Sequence, residues 1–144
     1  MLKFLKKLFT PSPMNRAYKH CVSEADKRLL VTVMMFYESY KAVGIFLEPT
    51  TEYLDKLEEI MASCDNSALV LTATGVAAFL GCVIRENVGG KWTLTENGKY
   101  KIIELGTNKI SIDLTDDLCI PLMSEKRSFV RDLYCNIEKK IYSH

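Results

Sequence analysis

His20 stands beside Cys21, four further cysteines follow at 64, 82, 119 and 135, and His144 comes last. A thiol paired with an imidazole would do nucleophilic chemistry, the ring taking the thiol proton. Adjacent side chains on a helix diverge, so His20 and Cys21 make no dyad, and nothing in the spacing brings His20 to another cysteine. Structural zinc asks for Cys and His at short spacing, C-x-x-C foremost, and no two of these cysteines have it. Asp113-Leu114-Thr115-Asp116-Asp117 is a dense acidic run, yet it lacks the glycine and the ordered oxygen ligands of a calcium loop. It reads as a polar turn. Glu52, Asp55, Glu58 and Glu59 would suit acid–base work only where burial separates their pKa values. On a periodic helix beside Lys56 they read instead as a solvated acidic face, suited to docking a basic protein. G-x-G-x-x-G, a Walker loop and G-x-S-x-G are all missing. The expectation is a chain with no catalytic set, no cofactor and no metal.

The elements that must carry these residues follow from composition and periodicity. At 144 residues, 48% apolar and 26% charged, the chain can bury a core of its own without staples. A net charge of +1 gives no global field toward nucleic acid or acidic lipid. Charge is segregated locally: Lys3, Lys6, Lys7, Arg16 and Lys19 meet no acid in residues 1–19, while residues 48–65 are acidic. Five cysteines, an odd number at scattered spacing, favour reduced thiols and a cytoplasmic protein.

Residues 1–13 are set apart by Pro11 and Pro13 as an amphipathic, flexible segment. Leu2, Leu5, Leu8 and Phe9 can share a helical face, with Phe4 beside them, against the lysines. That pattern suits a membrane surface, a partner, or loose docking on the chain's own domain. No h-region or cleavage site of a signal peptide follows. Residues 14–144 read as one α+β domain.

Ser23 is the expected N-cap of a helix ending near Gly44, with Leu29, Leu30, Val33, Met34, Phe36, Tyr37 and Tyr40 as its apolar face. Met34, Met35 and the aromatics could line a ligand slot, although such a stripe at helical spacing usually marks core. Thr50 or Thr51 caps a second helix, with Tyr53, Leu54, Leu57, Ile60 and Met61 inward. Asp65 or Asn66 opens a third, whose residues 67–84 carry no charge. That run is long enough for a membrane span, but its Ser, Thr and Gly content and lack of flanking belts point to a central, nearly enclosed helix. Gly89-Gly90 ends it. KWTLT, YKIIEL and KISIDL then alternate around Asn97-Gly98 and Gly106-Thr107-Asn108, a three-stranded antiparallel meander. Residues 118–122, broken by Pro121, read as a fourth, edge strand or a packed connection. Ser124-Glu125 starts the last helix, with Phe129, Val130, Leu133, Tyr134, Ile137 and Ile141 buried.

GCVIRENVGGKWTLTENGK imitates the recognition helix and wing of a winged-helix regulator. Arg85, Lys91 and Lys99 would then meet phosphate. A recognition helix must present polar and basic residues to the groove, and this one is apolar with Arg85 as its single base. The polarity argues against nucleic acid.

Phe79-Leu80-Gly81-Cys82-Val83-Ile84, Asn87, Gly89-Gly90 and Trp92, with Pro121 and Lys126-Arg127 later, form a pattern over residues 67–140. It resembles small bacterial domains of unknown function in which an aromatic-Leu-Gly-x-Val helix enters a meander. The resemblance implies a binding protein of the immunity or accessory type. The functional expectation is a cytosolic bacterial module that binds and neutralises another protein, such as a toxin or effector, through Glu52, Asp55, Glu58 and Glu59. A DNA-binding regulator and a peripheral membrane protein are the alternatives.

Overall fold

A computed structural model describes residues 24–124 and 130–143. The expectations placed on residues 1–23, on Lys126, Arg127 and Phe129, and on His144 lie outside the described residues. Helix α1 (Glu24–Lys41) buries Leu29, Leu30 and Val33 and half-buries Met34, Phe36, Tyr37 and Tyr40. Gly44 follows in a left-handed conformation at φ 86°, which turns the chain away. A 3₁₀ turn (Thr51–Tyr53) leads into α2 (Leu54–Ser63), which buries Leu54, Leu57, Ile60 and Met61. Thr50 holds the N-cap position, but its side chain makes no cap bond and its buried hydroxyl oxygen finds no partner.

A second 3₁₀ turn (Asn66–Ala68) opens α3 (Leu69–Val88), the axis of the fold. Every residue from Gly75 to Ile84 is buried, because α1, α2, the sheet and the segment after it all pack around this stretch. A helix apolar on all sides needs such a position or a bilayer. By length and composition α3 with its preceding turn (Asn66–Val88) could cross a membrane; its most apolar 18-residue window has a mean hydropathy of 2.1, and 61% of that window is buried inside the fold. Enclosure is not complete. Val70 is 67% and Leu71 80% exposed, so the first turn of α3 departs from the expected wrapping.

Gly89 and Gly90, both at positive φ, turn the chain into β1 (Lys91–Leu94), β2 (Tyr100–Leu105) and β3 (Ile110–Asp113). The sheet is an antiparallel meander in the order β1-β2-β3. The first hairpin pairs Leu94 with Tyr100, so five residues form its loop rather than a two-residue turn at Asn97-Gly98. Gly98 alone of that pair has positive φ (75°), and Thr95 closes the loop through Lys99. In β2 a bulge between Ile102 and Leu105 puts Glu104 at φ 61°. The extra residue aims Ile102 and Leu105 into the same core although they are three apart.

Residues 118–122 are not a strand. Leu114–Cys119 winds as a π-helical turn that runs into the short helix α4 (Ile120–Leu122). Carboxylates around Asp113 set up this winding. Asp113 Oδ1 accepts from the Asp116 N–H at 2.8 Å, and the Asp113 N–H donates to Asp117 Oδ2 at 2.7 Å. Pro121 stands in the first turn of α4, where its missing N–H is tolerated. Helix α5 (Val130–Tyr142) then buries Val130, Leu133, Tyr134, Ile137 and Ile141. The result is a single α+β domain with one continuous core.

Candidate functional site: an apolar groove between two helices

Two glycines fix how closely α3 meets its neighbours. A Cβ on Gly81 would collide with the Trp92 ring, and one on Gly75 with the Phe36 ring. The benzo edge of Trp92 therefore lies directly over Gly81 of α3. Phe36 lies against α3 one and a half turns nearer the N-terminus. It also stacks obliquely on Tyr40 (centroids 4.9 Å apart, 57°) and Phe79 (6.0 Å, 54°).

Beside Phe36 the two helices separate into a groove enclosing about 280 Å³. From α1 its wall carries Thr32, Met35, Phe36, Ser39 and Tyr40, the i, i+3, i+4, i+7, i+8 row of one helical face. From α3 it carries Leu71, Thr72, Thr74 and Gly75. Two of the lining hydroxyls are committed to their own helices. Ser39 Oγ donates to the Met35 carbonyl at 2.8 Å and Thr74 Oγ1 to the Val70 carbonyl at 2.7 Å, so both are spent on their own helices. Met35 is 67% exposed, and Val31, one turn before it on α1, is also exposed.

Among the described lining residues Tyr40 is the one ionisable side chain. Burial, and then the nearby Cys64 thiol, push its pKa above 10.0, so its phenol stays neutral. The lining carries neither a nucleophile with a base nor a charge to orient a substrate. What the groove can do is take up apolar surface.

Glu52, Asp55 and Glu59 lie exposed and Glu58 half-buried, and three of the four have partners in the chain. Glu58 Oε1 accepts the Arg131 backbone N–H at 2.8 Å, capping the first turn of α5. Arg131 Nε donates to Asp55 Oδ1 at 2.8 Å, and this hydrogen bond holds the Asp55 carboxyl below its ordinary pKa. Lys56 Nζ lies 3.1 Å from Glu59 Oε2. Glu52 is exposed on the 3₁₀ turn before α2. Three of the four carboxylates thus have partners within the chain, at its surface.

The three cations do not form one footprint. Arg85 is half-buried near the end of α3. Lys91 pairs with Glu104 at 3.5 Å, and Lys99 with Asp116 at 3.5 Å. Lys91 and Lys99 flank the β1–β2 ladder at its opposite ends. Among the described residues Cys64, Cys82, Cys119 and Cys135 are thiols, and no cluster of three or more His, Cys, Asp or Glu could hold a metal ion.

No protein family, curated protein or solved structure matches the chain. The sequence resemblance accordingly rests on its motif residues alone. Of the slot that Met34, Met35 and the aromatics could have lined, Met35, Phe36 and Tyr40 line this groove, whereas its α3 wall was not foreseen although a signal was present. Val31 and Met35 are apolar but lie off the core stripe of α1, and Val70-Leu71 add apolar surface where an uncharged helix begins.

Proposed function

We propose that this protein is a cytosolic binding module, and that the α1–α3 groove receives an amphipathic segment of a partner protein. The observation that carries the reading is the exposure of Leu71 (80%) and Met35 (67%) on either side of an apolar recess. Large apolar side chains rimming a recess mark contact sites rather than scattered surface residues. At about 280 Å³ the space falls just short of a typical small-molecule site and has no convergent polar groups to orient one. It fits two or three apolar side chains of a helix laid in a groove. The acidic α2 residues act as an internal clasp in this reading, with Glu52 as a rim charge.

That the partner is a toxin or effector to be neutralised has its support in the motif resemblance. The test uses the full chain as bait in its native host, followed by titration of the purified partner. A stoichiometric partner whose binding is lost in Leu71→Asp but kept in Glu52→Ala is the expected result. Recovery of no such protein, or binding indifferent to Leu71→Asp, overturns the reading.

A further inference from the structure

We propose that α1 is a self-association surface: two copies of this chain pair antiparallel along its outer stripe, about a two-fold axis at the height of Val33. The inference is independent of the partner reading and uses the side of α1 turned away from the core. Leu29, Leu30 and Val33 bury the inner side. On helical winding Arg28, Val31, Met35, Glu38 and Ala42 fall within an arc of about 80° on the opposite side, and all five are exposed. They follow one another at intervals of three, four, three and four residues, the seam along which helices pair. Val31 (54% exposed) and Met35 (67%) place large apolar side chains at its centre.

The order of the charges selects both the occupant and its direction. Arg28 and Glu38 stand five residues before and after Val33, and Val31 and Met35 two residues before and after it. A two-fold interface sets one patch against itself. In an antiparallel pair centred at Val33, Arg28 of each copy faces Glu38 of the other and Val31 faces Met35, so the ion pair and the apolar contact each occur twice. A parallel pair would set Arg28 against Arg28 and Glu38 against Glu38, a repulsive arrangement. Among the described residues neither Arg28 nor Glu38 is in an ion pair, whereas Glu24 is held by Lys27 on its own helix at 3.8 Å. A lipid surface fits the stripe worse, because one base and one acid do not make the basic face of an interfacial helix. One helix face on each side buries less than roughly 1,200 Å² in total, the range of weak, transient contacts. The association is therefore reversible and depends on concentration.

The test is sedimentation velocity of the full chain from micromolar to millimolar concentration, with circular dichroism to confirm that each variant stays helical. Wild type is expected to pass from monomer to dimer across this range. Arg28→Glu and Glu38→Arg each set like charges opposite one another twice, and each should weaken the dimer at least about tenfold. The combined Arg28→Glu/Glu38→Arg protein re-forms the pair in the reversed sense and should return to within about threefold of wild type, the signature of a direct coupling. Val31→Asp, which leaves the groove lining untouched, should keep the chain monomeric. Leu71→Asp lies off the stripe and should leave the dimer intact, so the dimer and the partner reading fail in different variants. A chain monomeric at every concentration, a dimer indifferent to the single reversals, or a combined variant no tighter than the single ones overturns the proposal. A dimer lost in Leu71→Asp and kept in Val31→Asp assigns the self-contact to the groove and likewise overturns it.

Discussion

Arg131 Nε donates to Asp55 Oδ1 at 2.8 Å, and the Arg131 backbone N–H donates to Glu58 Oε1 at the same distance. One residue of α5 is thereby held by two carboxylates one turn apart on α2. The backbone bond matters more. Arg131 sits at the N-terminus of its helix, where N–H groups have no partner within the helix, while the side-chain pair is exposed and screened. Glu58→Ala should lower stability by about 1 kcal/mol, the usual value of a lost N-terminal cap, and Asp55→Asn by less. The Asp55 contribution is present above the ordinary carboxylate pKa of 3.8 and is lost as pH falls through its lower folded value. Urea denaturation of both variants at neutral pH and in acid checks the order and the window.

Gly81 faces the Trp92 ring with no room for a methyl group. Gly81→Ala gains about 1 kcal/mol of helix propensity and loses about 1–3 kcal/mol to overpacking against a rigid, buried ring. The net effect expected is destabilisation by about 1 kcal/mol, with a shift in the emission of Trp92, the single tryptophan. An unchanged denaturation midpoint and spectrum would show that the ring can move aside.

Periodicity made most of this fold legible. The inner faces of α2 and α5 follow from their apolar spacing, and the eleven buried residues of α3 follow from an uncharged run too long for an amphipathic face. Of the two readings at 118–122 the packed connection holds, and the edge strand fails for a local cause. Pro121 in an apolar stretch looks like an edge strand, and only reciprocal bonds among Asp113, Asp116 and Asp117 reveal that the chain is already winding. The acidic face was legible as helix surface but not as a clasp, because its partner Arg131 lies 76 positions away in sequence. The groove was least legible, since it arises where α1 and α3 diverge and depends on a glycine that seats Phe36.

Asp113 is buried at 9% exposure and caps the π-helical turn. Asp113→Ala leaves the Asp116 N–H without its acceptor, and a loss of about 1 kcal/mol is expected. Asp113→Asn keeps an acceptor and should lose less. Hydrogen exchange at Asp116 reads the change locally, and equal protection in the alanine variant would count against the cap.

Tyr134 is buried on α5, and its phenol is pushed up from 10.0 to about 12 by desolvation first and by its hydrogen bond to Glu138 second. Below pH 10 the phenol is neutral in folded and unfolded chains alike. Between pH 10 and about 12 the unfolded chain loses this proton first, so stability falls as pH rises. Tyr134→Phe removes that part of the slope. Denaturant midpoints of wild type and variant should therefore converge or cross with rising pH in this window; parallel curves would remove the assignment.

Leu71 and Leu80 occupy the same helix under opposite conditions, 80% and 0% exposed. Leu80→Ala opens a cavity in the centre of the core and should cost about 2–5 kcal/mol. Leu71→Asp removes no buried contact, and it places a carboxylate in the first turn of α3, where the helix dipole favours negative charge by about 0.3–1 kcal/mol. The expected outcome is a variant at least as stable as the wild type, less prone to bind a hydrophobic resin, and unable to hold its partner. Selection for stability alone has no reason to keep leucine at such a position, whereas a contact surface does. Measured destabilisation of Leu71→Asp by 1 kcal/mol or more would show that Leu71 serves the fold, and would withdraw the main support from the groove as a site.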